Sequence, residues 1–187
     1  MAGEIWLIRH GETEWSRAGK HTSTTDLALT AEGERKAVAV GRMLAGKAFA
    51  LVLASPMRRA LATCRLAGYE AEVTPDLCEW SYGAFEGLTT AQIQVDHPGW
   101  TIWTATPPGG ETAAEVGARA DRVIARAVAS PGDVVLFGHG HMLRVLAARW
   151  LGLEPEGGRL LALATGSVSV LGHEHNTRVI RIWNRTA

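Results

Sequence analysis

Apolar residues along this chain alternate between short continuous runs and stretches where they recur at helical spacing. Glu4 to Arg9, Phe49 to Ala54 and Asp133 to Phe137 carry the continuous runs, the pattern of strands covered on both faces. A weaker run, Glu70 to Thr74, predicts a further strand. Val168 to Leu171 and Val179 to Trp183 predict two closing strands joined through His173-Glu174-His175-Asn176. Helices are predicted between them. Thr30 caps one with Ala37, Val40, Gly41 and Leu44 on its apolar face, ending near Gly46. Ser55-Pro56 opens the next, Ser as cap and Pro at the first helical position, with Ala60, Leu61, Cys64 and Ala67 inward and Gly68 as the stop. Thr112 and Glu115 form a capping box for a helix carrying Val116, Ala120, Val123, Ile124 and Ala127, closed by Ser130-Pro131-Gly132. His141 to Leu151 is a last helix, ended by Gly152. Two stretches break the pattern: the polar loop His10 to Leu29, longer than most connections, and Ser81 to Gly110, periodic only near Thr89 to Val95. The alternation predicts an α/β fold, a three-layer α/β/α sandwich with a mostly parallel mixed sheet.

Length and charge narrow this picture. The 187 residues suffice for one buried domain spanning 1–187, with about 81–110 as a packed lid or specificity excursion. Lys+Arg and Asp+Glu balance at 19 each, so no basic field argues for nucleic acid and an anion must be bound locally. No eighteen-residue apolar stretch predicts a membrane span, and Met1 to Gly3 show no charged leader before the first strand, which points to the cytoplasm. Cys64 and Cys78 suggest neither a disulfide framework nor metal-ligand spacing.

Candidate chemistry collects beyond the carboxyl ends of the predicted strands. Arg9 and His10 end the first, Arg59 lies in the first turn or so after the second, Glu79 follows the third and His139 the fourth. That edge is where open α/β sheets bind ligands, so four distant segments are expected to converge there. A neutral imidazole can attack phosphorus if its other nitrogen is held as N–H by a carbonyl, and Gly11 lets backbone approach His10 that closely. Arg9, Arg59 and a protonated His139 would stabilise the transferring phosphoryl, while Glu79 would give the leaving alkoxide its proton and then take one from water.

Other residues have blander readings. Arg58 is expected to be solvated and Arg144 structural or ion-paired; His141 lines the substrate mouth or merely caps its helix; His173 and His175 form an exposed turn, not a metal pair. Trp15, Trp80, Trp100 and Trp103 are packing by default, although Trp80 and Tyr82 flank Glu79 and are placed at the pocket. No cluster of carboxylates and histidines suggests a catalytic metal, and no cofactor is expected.

Leu7-Ile8-Arg9-His10-Gly11-Glu12-Thr13, Ser55-Pro56-Met57-Arg58-Arg59-Ala60, Glu79 with Tyr82-Gly83 and Glu86-Gly87, and Gly138-His139-Gly140 together resemble the histidine phosphatase superfamily, which includes the cofactor-dependent phosphoglycerate mutases. The resemblance implies a phosphoglycerate mutase-like fold, His10 as the phosphorylated nucleophile, Arg9, Arg59 and His139 as the phosphate pocket, and Glu79 as proton donor. It places Ser16, Thr22 and Ser23 near the phosphate, with Ser16 where Asn is common, and Gly140 and His141 at the substrate. Glu14 to Thr22, Thr25-Asp26-Leu27, Glu79 to Gly83 and Gly138 to His141 are similar to the sedoheptulose-bisphosphatase branch, which implies small phosphate esters such as sugar phosphates. The mutases usually carry a basic residue directly after the acid Glu, where this chain has Trp80, so hydrolysis is expected over mutase action. A phosphoglycerate mutase and a non-catalytic phosphate-binding module are the rival expectations. Relatives often dimerise, which makes a homodimer a further expectation.

Overall fold

In the computed structural model, which describes residues 3–187, β1 (Ile5–Arg9), β2 (Leu51–Ala54), β3 (Glu72–Val73), β4 (Val134–Gly138), β5 (Val168–Glu174) and β6 (Thr177–Arg185) form one sheet. The strand order is β3-β2-β4-β1-β5-β6. Pairings among β1 to β4 are parallel, and those of β5 with β1 and β6 are antiparallel, which gives the expected mixed, mostly parallel sheet. The expectation of a leader-free start rests partly on residues 1–2, which lie outside the described residues.

Alternation along the central strands sends side chains into two cores. Ile5, Leu7, Val134 and Leu136 pack with α5 (Ala113–Val128) and α6 (Gly140–Trp150) on one face. Trp6, Ile8, Val135 and Phe137 pack with α2 (Ala31–Met43) and α3 (Arg58–Leu66) on the other. Three layers result. Thr30 and Thr112 cap α2 and α5 as their positions predict, accepting from Gly33 N and Glu115 N. Tyr82, Phe85, Ile93, Trp100 and Ile102 bury the 81–110 stretch, with its short helix α4 (Thr90–Asp96), beside Trp80 against the α5/α6 core, so this stretch is packed despite its poor periodicity.

Three local expectations change. Ser55 does not cap α3, whose cap residue is Met57 with no side-chain bond; the Ser55 hydroxyl lies instead 2.8 Å from His139 Nε2. The third strand shrinks to two exposed residues because it is an edge strand paired only with Leu53 and Ala54. The polar loop contains a short helix, α1 (Glu14–Arg17), closed by reciprocal bonds between Thr13 and Ser16. Because β1, β2 and β4 are parallel, residues 9–10, 55 and 138–139 emerge at one edge, and a 3-10 turn at Pro75–Leu77 brings Glu79 there from β3.

Candidate active site

His10 sits just past β1 with its Nδ1 2.7 Å from the Gly11 carbonyl, which fixes the N–H on Nδ1 and leaves Nε2 as the free ring nitrogen. Burial, then the charges of Arg9 and Arg59, hold its pKa well below the ordinary histidine value, so the ring is neutral near pH 7. Gly11 is required for a further reason: a Cβ there would fall 2.2 Å from the Gly33 carbonyl oxygen at the start of α2.

Arg9 donates Nη1–H to the Leu163 carbonyl, while its buried Nε has no partner among the described residues. The guanidinium lies flush against the start of α6, because a Cβ on Gly140 would be only 3.3 Å from it. Glu79 is held at that same helix start. Its Oε1 accepts from Trp80 N (2.9 Å) and Met142 N (2.8 Å), and its Oε2 from His141 N (3.0 Å).

Arg59 and His139 form the wall behind these groups. Arg59 is fully buried and donates to the carbonyls of Thr25, Ser23 and Thr22, which ties α3 to the polar loop. Its Nε donates to His139 Nδ1 at 3.2 Å, and the His139 ring lies 5.1 Å from that of His10. Burial, followed by the charges of Arg59, His10 and Arg9, pulls the His139 pKa well below its ordinary value. This corrects the expectation of a protonated His139: an added proton on Nδ1 would face the Arg59 N–H and destroy the bond it accepts.

A cavity of about 170 Å³ opens on this edge, lined by Arg9, His10 and Glu79 with Ser16, Thr22, Tyr82, Gly140 and His141. Ser23 and Trp80 do not reach it. The Ser23 hydroxyl and amide bond the Glu86 carboxylate, and Trp80 is buried with its indole N–H on the Glu111 carbonyl and its ring against Trp103. Arg144, read from the sequence as structural or ion-paired, lines the cavity, as do Lys20 and His21. Nothing in the local sequence marks His21, whose ring lies tilted 4.6 Å from that of Tyr82 in a contact spanning the two irregular stretches. For Arg144 a signal was present: it follows His141 by three positions on a helix, which puts both on one face.

His141 and Tyr82 are a bonded pair, hydroxyl to Nδ1 at 2.6 Å. Burial and then Glu79 push the Tyr82 phenol well above its ordinary value, and burial, Arg144, His21 and Arg9 pull His141 well below its own, so both groups of the pair are neutral. Among the described residues no group of three His, Cys, Asp or Glu is arranged to hold a metal ion, and no helix is long and apolar enough to cross a membrane. The cavity combines a neutral ring nitrogen, a buried guanidinium with an unsatisfied donor and a fixed carboxyl group, which suits nucleophilic attack on an anionic centre followed by proton transfer.

Comparison with known proteins gives a consistent result. The family model described as histidine phosphatase superfamily (branch 1) matches residues 5–186. An acid phosphatase of Mycobacterium tuberculosis is 41% identical, with 97% of this chain and 92% of that protein covered. The sedoheptulose 1,7-bisphosphatase of Saccharomyces cerevisiae is 34% identical over 79% of this chain and 67% of its own. A solved structure of an open reading frame product from Mycobacterium tuberculosis is similar with a TM-score of 0.94 at 39% identity, covering 98% of both chains.

Proposed function

This chain belongs to the histidine phosphatase superfamily and is a phosphatase; from that premise we propose that it hydrolyses small phosphomonoesters, sugar phosphates among them, through a phosphohistidine on His10. The observation that carries the reading is the His10 Nδ1 bond to Gly11, which leaves a neutral Nε2 at the cavity beside Arg9 and Glu79. Nε2 attacks phosphorus, the N–P bond forms as the ester P–O bond breaks, and protonated Glu79 gives its proton to the departing oxygen. Water then attacks the phosphohistidine, Glu79 accepts its proton, the N–P bond breaks and inorganic phosphate leaves. Arg9, a lining residue of the cavity, supplies the positive charge beside the phosphoryl group, and Arg59 and His139 support the pocket from behind.

The mutase reading is less favoured, since Trp80, buried in the core, stands where mutases usually place a cation that helps retain a phosphorylated acid. A module that only binds phosphate has no use for Glu79 at the cavity wall. The same reading treats residues 1–187 as one catalytic domain with 81–110 as the specificity excursion, in a cytoplasmic homodimer; free Cys64 and Cys78 accord with a reducing compartment.

Phosphate release from a panel of esters is expected in the wild type and absent in His10→Ala. Enzyme denatured in alkali during turnover should carry base-stable, acid-labile phosphate. Release that survives His10→Ala, or phosphate found on Ser or Thr, would overturn the mechanism. Interconversion of phosphoglycerates faster than release would establish a mutase, and tight binding of phosphate analogues without turnover a binding module.

A further inference from the structure

The sheet does not hold Glu79 directly. β3 ends at Val73 and α4 begins only at Thr90, so Glu79 stands in an irregular segment behind the 3-10 turn at Pro75–Leu77. His10 and His139, by contrast, follow β1 and β4 immediately. A proton donor must nevertheless stay within hydrogen-bond reach of the leaving oxygen, and a displacement of about 1 Å can cost about 10²-fold in rate. The segment therefore needs an anchor from elsewhere in the fold.

Arg119, on α5, makes the contacts of such an anchor. Its Nη1 donates to the carbonyls of Asp76 (2.9 Å) and Cys78 (2.8 Å), and its Nη2 approaches the Glu79 carbonyl at 3.5 Å. The same Nη1 lies 3.5 Å from Sδ of Met142, whose backbone N–H holds Glu79 Oε1. The Glu111 carboxylate accepts from Arg119 Nε and Nη2, both at 2.9 Å, and from Ser81 N at 2.9 Å. The Glu111 carbonyl accepts from the Trp80 indole, and its amide donates to the Ser81 carbonyl. The pair thus grips the chain on both sides of Glu79, and the guanidinium also bears on the helix start that holds the carboxyl group. Its side chains are the least exposed of any ion pair among the described residues, 12% and 25%, so water competes least for this one. A rigid planar fork suits a junction of two carbonyls and a carboxylate, which a single ammonium serves less completely. Neither residue lines the cavity.

Resting on the reading of Glu79 as proton donor, we propose that Arg119 and Glu111 are its positioning residues: their ion pair sets where the Glu79 carboxyl group stands relative to the leaving oxygen, without touching substrate.

A nitrophenolate departs without a proton, whereas an alkoxide requires one. Comparing kcat/KM for para-nitrophenyl phosphate and for glycerol phosphate therefore separates lost proton donation from general damage. Glu79→Gln should lower the glycerol phosphate value about 10²–10⁴-fold and the nitrophenyl value far less. Arg119→Met and Glu111→Gln should show the same bias at about 10- to 100-fold, and Arg119→Lys should recover part of it. If Arg119→Met does not fold, Glu111→Gln, which keeps the size of the side chain, reads the same ratio. Arg122→Met breaks an exposed pair with Asp76 on the same segment and should leave the ratio of the two values unchanged. Equal losses on both esters in Arg119→Met and Glu111→Gln, or a bias as large in Arg122→Met, would overturn the positioning role, while a biased Glu79→Gln leaves the phosphatase mechanism standing. An unbiased Glu79→Gln would refute Glu79 as proton donor, and the positioning role with it.

Discussion

Arg9 and Arg59 carry the same guanidinium yet stand in different surroundings, and their substitutions should part accordingly. Arg59 donates to three loop carbonyls and to His139, so its removal leaves buried acceptors unpaired as well as removing charge. Arg9 makes one carbonyl bond and lines the cavity. Arg9→Met is expected to lower kcat by about 10²–10³ with little change in melting temperature, whereas Arg59→Met should lower both. Thermal unfolding alongside steady-state kinetics checks the pair; a melting temperature that falls as far for Arg9→Met as for Arg59→Met would remove the distinction. The magnitude follows from removing one preorganised donor to a developing charge. At this scale the nucleophile and the carboxyl group were legible because each abuts the end of an apolar run. His21 is not legible, since it reaches the cavity through contacts between a loop and the 81–110 excursion, and Arg144 is legible only through its place three positions after His141 on α6. Trp80 packs in the core as its default reading predicts, but its placement at the pocket fails, because adjacency to Glu79 in sequence says nothing about which way a side chain turns, and its indole turns toward Glu111.

The elements that shape the cavity mouth are the two stretches without periodicity, and one carboxylate joins them. Glu86 accepts from Ser23 N, Ser23 Oγ and Thr25 N. Burial pushes its pKa up, but the bonds from Ser23 and Thr25 outweigh that and hold it below the ordinary value. The His21 amide and carbonyl bond Leu88 and Gly87 beside it, and Lys20 pairs with Thr89 in an isolated antiparallel bridge. Glu86→Ala should therefore free the loop that presents Thr22 and His21, costing about 2–3 kcal/mol for the lost charged hydrogen bonds and raising KM. Hydrogen exchange would show faster exchange at the Ser23 and Thr25 amides; unchanged protection there would refute the clamp. Helix starts at Thr30 and Thr112 were readable because their caps are local. Ser55 was not, because its hydroxyl is recruited by His139, 84 positions away, and a distant partner displaces the local cap.

For the molecule as a whole, strand and helix order was readable from periodicity, but its main chemical consequence was not: the parallel strands deliver several histidines into one poorly hydrated edge. His10, His139 and His141 each have a pKa well below the ordinary value of 6.5, with burial the largest cause in every case. In the unfolded chain these rings regain ordinary values, so between the folded and unfolded pKa the unfolded state binds more protons than the folded state. Stability then rises with pH across that window, falls as pH drops below about 6.5, and gains nothing from these groups at higher pH, where both states are neutral. Each such proton contributes a slope of about 1.4 kcal/mol per pH unit. The balance of 19 basic and 19 acidic residues keeps general charge repulsion small near neutrality, so the histidines should dominate. Glu86, whose pKa is also lowered, adds its own loss only at more acidic pH, below the ordinary carboxylate value of 4.5. Denaturant unfolding at a series of pH values should thus show stability declining steeply from pH 7 to pH 5, with a proton uptake on unfolding greater than one. His141→Asn should lower that uptake by about one proton. A stability that is level across this range would mean that the buried rings are protonated in the folded protein, which would also deprive His10 of its nucleophilic form.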